Sequence, residues 1–491
     1  MFARTLFVTA LAAALLSACG GGGGGSSTPP LPGGGNNPSP AASGSPHASS
    51  APSATPGPGS TPTPFATPTP LPTPTPTPAG AGQTILPNTT GRFSLIQVID
   101  LRMTQQQIQA EAPYEDAVWA AFSPSTWNQS HPGMITSRYM IPLNDENAIS
   151  GHDLTWWQQN HPDWILYTCD SNGNPTHYVA RDDGFPDVPL DFHNPQVIDY
   201  QVRQMLGPYM IANGYNALAL DQVSFSNYTS GPNAILGQSD PGYNYGSDGW
   251  YGCGVWEGST FVKRYTMGYL QPDPAFIADI VNWVKTARQI LTTDPTLAPY
   301  HLKLLVNHPL GELSDPNEQA ILSNVDGIMN ENGFSNYNRY GINVGHLVQY
   351  MQYAQANHVA FFSINYFCLN GGSPCETSVT PQQLEFAMAA YQMGNEGGAA
   401  LYVSPSTGEI YSYHPEFATR LGTPCAEYSV SGTVYYRKFT GGLAIVNNSF
   451  TPSSLQLPAH AYTDIEGRSV TNPLQLGAND GYVLTTTNGC S

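Results

Sequence analysis

Between residues 90 and 405, short apolar runs alternate with segments whose apolar positions recur at helical spacing. The runs at 93–100, 138–143, 164–169, 216–221, 302–307, 327–331, 359–366 and 399–403 read as eight strands. Helical spacing fits 154–160, 194–211, 274–291, 316–323, 343–357 and 380–393, and 103–122 reads as helical segments interrupted at Pro113. A strand followed by a crossover predicts parallel pairing, and eight such units predict an α/β chain folded as a (β/α)8 TIM barrel. A doubly wound open sheet is the alternative arrangement of the same units. No Gly-x-Gly-x-x-Gly follows the first strand, so a dinucleotide-binding fold has no support.

Past residue 407 the spacing changes. Short runs at 433–439, 443–446, 455–457 and 482–485 are separated by Gly-Gly, Asn-Asn and Pro, which predicts a small C-terminal antiparallel β-sandwich over 408–491. The barrel is expected over 84–407.

The N-terminus has a different character. Arg4 precedes an apolar stretch from Leu6 to Leu16, and Leu16-Ser17-Ala18-Cys19 follows. Small residues before a cysteine at the end of such a stretch resemble a bacterial lipobox, so residues 1–19 are expected to be a lipoprotein signal peptide and Cys19 the lipidated residue. Gly20, rather than an acid, follows, which by resemblance to lipoproteins points to the outer membrane or cell surface. Residues 20–83 are Gly, Pro, Thr, Ser and Ala in the main, with Thr-Pro repeats over 61–78 and no charged residue. Such a stretch buries no core and is expected to be a disordered spacer.

The chain carries 16 Lys and Arg against 35 Asp and Glu, a formal charge of −19, and all the acidity lies beyond residue 83. That balance argues against nucleic acid as a partner and leaves the lipid on Cys19 as the expected contact with a membrane. A neutral substrate and a monomer are expected. Removing Cys19 leaves six cysteines, an even number that favours disulfides in an exported chain and allows fifteen pairings. Locality pairs Cys368 with Cys375 and Cys425 with Cys490, leaving Cys169 with Cys253. No Cys-x-x-Cys or Cys/His ligand spacing occurs, so neither a metal nor a cofactor is expected.

Two of the predicted strands end in a carboxylate after the same kind of apolar run. Gly214-Tyr215-Asn216-Ala217-Leu218-Ala219-Leu220-Asp221 and Val325-Asp326-Gly327-Ile328-Met329-Asn330-Glu331 each place a carboxylate after a buried run. In a parallel barrel both would lie at the C-terminal rim, where catalytic groups gather, and a facing pair of carboxylates is what glycosidic-bond hydrolysis requires. Asp221, the shorter arm on a buried strand, suits the nucleophile. Glu331, the longer arm, suits the acid/base.

These two segments, together with Pro189-Leu190-Asp191-Phe192-His193-Asn194-Pro195 and Tyr436-Arg437-Lys438-Phe439-Thr440-Gly441-Gly442-Leu443-Ala444-Ile445-Val446-Asn447, resemble barrel glycoside hydrolases. The likeness covers about residues 90–490 and is nearest to hypothetical glycosyl hydrolase family 15. It implies a barrel backed by a sandwich, and an O-glycosyl hydrolase acting on a polysaccharide or oligosaccharide. By count Asp221 follows strand four and Glu331 strand six. That placement is similar to family 66 dextranases and the α-galactosidase clan, and it implies a retaining mechanism.

Other polar residues at strand ends are candidates for sugar hydroxyls: Asp100, Asp191, Asn307 and Asn365. Asp191 has a second possible role, fixing the loop before Pro195. Trp250, Tyr251 and Trp256 lie in a long segment after Asp221 and are expected over the cleft, as aromatic rings suit sugar faces. Trp156, Trp157 and Trp164 read as packing residues, and His193 and His308 as histidines satisfied near the cleft. No Gly-x-Ser-x-Gly, His-x-His or His-Glu-x-x-His occurs, which disfavours serine and metal-dependent hydrolases. The competing expectation is a non-catalytic surface lipoprotein that binds carbohydrate through a degenerate barrel. The separation of the Asp221 and Glu331 side chains discriminates between the two.

Overall fold

The structure, a computed structural model, describes residues 84–490 apart from 170–172, 180–186, 226, 228–251, 267–272, 332, 337–343, 369–377 and 407–412. Cys19, the 20–83 segment, Trp250, Tyr251 and the expected Cys368–Cys375 bond lie outside the described residues.

Eight parallel strands close into a barrel: β1 (Leu95–Ile99), β2 (Glu115–Ala120), β3 (Ile135–Met140), β4 (Ala217–Leu220), β5 (Lys303–Asn307), β6 (Gly327–Asn330), β7 (Ala360–Cys368) and β8 (Ala399–Ser406). Each strand pairs with its sequence neighbours, and β8 closes on β1. This is the (β/α)8 barrel that the alternating pattern predicts. β4 and β6 read Ala-Leu-Ala-Leu and Gly-Ile-Met-Asn and are buried throughout, as strands covered by helices on one side and a packed interior on the other must be.

Two of the predicted strands need correction. The second barrel strand is Glu115–Ala120, inside the segment expected to be helical; only Gln105–Glu111 there is a helix. Glu-Asp at the head of the run is poor strand sequence, and the helical spacing before it masks the change. The 164–169 run is not a barrel strand. Its end, Tyr167–Cys169, pairs antiparallel with Pro175–Val179 and Gly254–Glu257, and Thr260–Lys263 completes a separate four-stranded sheet. The Cys169–Cys253 disulfide joins the segments that leave β3 and β4, which is why an apolar run there has a partner other than the barrel. The missed strand and the surplus one offset each other, so Asp221 does follow β4 and Glu331 does follow β6.

Beyond the barrel, β9 (Ser429–Ser431), β10 (Val434–Phe439), β11 (Gly442–Asn447) and β12 (Gly481–Thr485) form an antiparallel sheet, with Ser453–Leu455 and Leu474–Leu476 paired beside it. The Cys425–Cys490 disulfide ties the ends of this region together. It packs on the helix Pro381–Gly394 between β7 and β8. Arg437 on β10 is buried there. Its Nη1 donates to the carbonyls of Gln392, Met393 and Asn395 at the end of that helix, and its Nη2 to Glu396 at 2.5 Å. The guanidinium thus satisfies helix-terminal carbonyls that have no partner of their own and meets the negative end of the helix dipole.

Glu385 of the same helix accepts the Val483 N–H at 3.0 Å. Burial pushes its carboxyl from the ordinary 4.5 to about 7, against the opposing pull of that N–H. Between those values the folded chain holds a proton that the unfolded chain has released. Its contribution to stability is therefore complete below about 4.5 and is lost as the pH rises through about 7. The thermal midpoint of the wild type should be lower at pH 8 than at pH 5, with a smaller decline in Glu385→Gln. Equal declines in the two proteins would remove Glu385 from this account.

Candidate active site

Asp221 extends β4 by one residue. Its N–H donates to the Met140 carbonyl at the end of β3, so its side chain takes an inward-facing position at the rim. Gln222 then leaves the ladder with φ of 53°, a left-handed conformation uncommon for a residue with a side chain. The turn brings the Gln222 N–H to Asp221 Oδ1 at 2.8 Å. Tyr139, on β3, donates its hydroxyl to Oδ2 at 2.9 Å.

Asn307 closes β5. Its Nδ2 donates to Asp221 Oδ1 at 2.7 Å and to Glu331 Oε2 at 3.0 Å. Two bonds from one nitrogen limit the two oxygens to about 5.7 Å apart, the sum of the bond lengths. With one amide N–H directed at each acid, the oxygens stand about 5 Å apart. The amide orientation is the one that the acids demand, since the opposite one would set a carbonyl oxygen against two carboxyl groups.

Among the described residues, three donors reach Asp221 and one reaches Glu331. Burial raises the Asp221 carboxyl, opposed by Tyr139, the Gln222 N–H and Asn307. Burial raises Glu331 well above the usual carboxylate range, the Asp221 charge adds to it, and Asn307 alone opposes. Two acids this close do not both ionise readily, and the charge settles where the donors are. Asp221 takes the charge and Glu331 keeps the proton. The second oxygen of Glu331, Oε1, is buried and has no partner among the described residues. The surroundings therefore favour charge on Asp221 and a proton on Glu331, about 5 Å away, whose Oε1 has no partner among the described residues.

The turn behind Glu331 is fixed by β7. Asn365 accepts the N–H groups of Phe334 and Ser335 at 2.8 and 3.3 Å. Its Nδ2 donates to the carbonyls of Ser363 and Tyr402. Asn365 thus holds the loop that carries Glu331. Gly333 in that loop has φ of 42°, and a Cβ there would lie 2.2 Å from the Ile364 carbonyl oxygen.

The remaining sequence candidates lie elsewhere. Asp100 ends β1, across the barrel from Asp221, and accepts the Phe122 and Ser123 N–H groups and the Trp127 indole. Asp191 accepts Arg264 Nε at 3.1 Å and the His193 N–H at 3.3 Å, which fixes the turn before the helix at Pro195. His193 meets Asp279. Trp256 stands edge-on to Phe261, packed against the cluster that holds Leu154, Trp157, Ile165 and Tyr167. None of these four is bonded to either acid by a described contact.

Sequence reasoning passed over Tyr139 and Gln222. Alternation in β3 could have found Tyr139, which pairs with Ala219, two residues before Asp221. Nothing in the sequence marks the left-handed turn at Gln222. Among the described residues no three His, Cys, Asp or Glu side chains converge as metal ligands would.

No family model matches the chain, and no curated protein matches it. Solved structures do. The chain is similar to the α-glucosyl transfer enzyme XgtA, with 11% identity and a TM-score of 0.42 over 81% of this chain and 99% of that one. It is similar to the Bacillus licheniformis trehalose-6-phosphate hydrolase TreA, with 9% identity and a TM-score of 0.41 over 80% and 99%. It is also similar to a GH27 β-L-arabinopyranosidase from Geobacillus stearothermophilus, with 9% identity and a TM-score of 0.44 over 81% and 97%. At these identities the likeness is one of fold.

Replacing Gly333 by alanine should force the Glu331 loop off β7. The expected cost is about 1–3 kcal/mol, the usual range for a strained left-handed position. It would be read as a lowered thermal midpoint, and an unchanged midpoint would contradict the close approach to Ile364.

Proposed function

We propose that this chain is a glycoside hydrolase that cleaves O-glycosidic bonds of a polysaccharide or oligosaccharide with retention of configuration. Asp221 is the nucleophile and Glu331 the acid/base. The observation that carries this reading is the single amide nitrogen of Asn307 bonded to both carboxyl groups. A retaining pair stands about 5–5.5 Å apart, whereas an inverting pair needs roughly 6.5–9.5 Å to admit a water.

The chemistry follows from the protonation of the pair. Ionised Asp221 attacks the anomeric carbon while Glu331 gives its proton to the departing oxygen, leaving a glycosyl ester on Asp221 and a free hydroxyl on the leaving sugar. Glu331, now ionised, takes a proton from water as that water attacks the same carbon. The ester breaks, and both acids return to their starting states. The three donors around Asp221 favour its charge before attack and its departure as a carboxylate afterwards.

The enzyme is exported and held to a bacterial membrane by lipid on Cys19, with residues 20–83 as a spacer. The support is the apolar run ending in Leu16-Ser17-Ala18-Cys19.

Activity on a panel of soluble polysaccharides and their oligosaccharides tests the assignment. Asp221→Asn and Glu331→Gln should each lose at least roughly a thousandfold in rate while keeping the wild-type circular dichroism. Loss of activity should follow the rise of pH through the Glu331 titration, since the protonated form is the acid. A variant with full activity would take its residue out of the mechanism. Binding without hydrolysis by the wild type would favour a carbohydrate-binding protein on a degenerate barrel.

A further inference from the structure

His308 follows Asn307 directly, and its ring is buried beneath the rim. Its Nδ1 donates to the carbonyl of Val223, and its Nε2 is hydrogen-bonded to Glu318 Oε2 at 2.8 Å. The other oxygen of Glu318 accepts the Tyr350 hydroxyl. Phe225 closes the ring edge-on at 4.9 Å. The chain of bonds runs from the helix Val344–Ala356 after β6, through the helix Pro316–Leu322 after β5, to the segment after β4.

All three side chains are buried, and their partners are complete. Burial pushes the Glu318 carboxyl up, but His308, Tyr350 and the Gly311 N–H outweigh it and leave the group below its ordinary value. Glu318 is then an acceptor on both oxygens, and the Val223 carbonyl can only accept. The bond to Val223 therefore needs a proton on Nδ1 of His308. A buried polar chain with this many bonds is a costly way to fill space, since apolar side chains would pack as well. What it gives in return is position.

That position is close to the reacting acids. Val223 lies two residues after Asp221, and its own N–H donates to the Asn307 carbonyl at 3.1 Å. Between them is Gln222, whose left-handed turn supplies an N–H to Asp221. A strained turn persists only where its surroundings hold it. The Val223 carbonyl is gripped by His308 from one side while the Val223 N–H is tied to Asn307 on the other.

We propose that His308, braced by Glu318 and Tyr350, is a positioning residue for the Asp221–Glu331 pair, acting through the Val223 carbonyl to hold the Gln222 turn and the Asn307 bridge in place. The catalytic meaning of this device rests on the function proposed above; the positioning itself does not.

The test is a 13C-carboxyl NMR titration of the full chain, with the two steps of the pair assigned from Asp221→Asn and Glu331→Gln. The interval between the steps reports how closely the acids are held. The amide of an asparagine at 308 reaches the place of Nδ1 and can serve Val223. The longer glutamine reaches the place of Nε2 and can serve only Glu318. His308→Gln should narrow the interval by about one unit, a tenfold change in the coupling. His308→Asn should restore most of the wild-type interval. An unchanged interval in His308→Gln, or equal narrowing in both variants, would overturn the proposal. Tyr350→Phe, which removes one hydroxyl from the far end of the chain, decides the matter if the position 308 variants do not fold. A smaller narrowing supports the bracing, and an unchanged interval overturns it. If the acids are not catalytic, the polysaccharide panel fails while this titration still reports the positioning.

Discussion

One amide nitrogen shared between two buried carboxyl groups organises this molecule. Asn307 holds Asp221 and Glu331 at a separation where they cannot ionise independently. Tyr139 and the Gln222 N–H then favour charge on Asp221, while Glu331 has no other donor among the described residues. The two acids are similar in chemistry and differ in surroundings. That difference gives one the role of nucleophile and the other the role of acid in the proposed reaction.

The barrel makes such a bridge possible. Adjacent strands in register set Asp221, Asn307 and Glu331 at the ends of β4, β5 and β6, so the bridging residue sits between the two it bridges. The loops that leave these strands are then secured from behind. Asn365 on β7 holds the turn after Glu331, and His308 with Glu318 holds the segment after Asp221. The C-terminal sheet joins this frame through Arg437 and Glu385, both on or against the helix between β7 and β8. The site is built on strand ends, with buried polar groups restraining the adjoining turns.

Much of this was legible in the chain, for reasons that can be named. The runs ending in Asp221 and Glu331 are apolar throughout, because parallel strands covered on both sides have no polar face to confuse the pattern. The helices at Pro274–Thr293, Pro316–Leu322 and Pro381–Gly394 each begin with a capping residue followed by proline, and together with Val344–Ala356 they lie within a few residues of where periodicity puts them. Glu115–Ala120 was hidden by its acidic start, and Tyr167–Cys169 was misplaced because pairing partners are not written in a strand's own sequence. Strand-end acids advertise themselves, whereas their partners do not. Asn307 was visible only as a polar strand end, and its bridging bonds are a property of three strands together. Asp100 and Asp191 look like Asp221 in sequence, yet their bonds go to local N–H groups and an arginine, which is a matter of environment.

In the proposed reaction the carboxyl groups are held too close to admit a water between them and the sugar, and an ester forms on Asp221. The anomeric configuration of the first product, followed by 1H NMR before mutarotation on a polysaccharide or oligosaccharide found to be cleaved in the panel, is the direct test. The first product should carry the same anomeric configuration as the bond that was broken. Appearance of the opposite anomer first would contradict it.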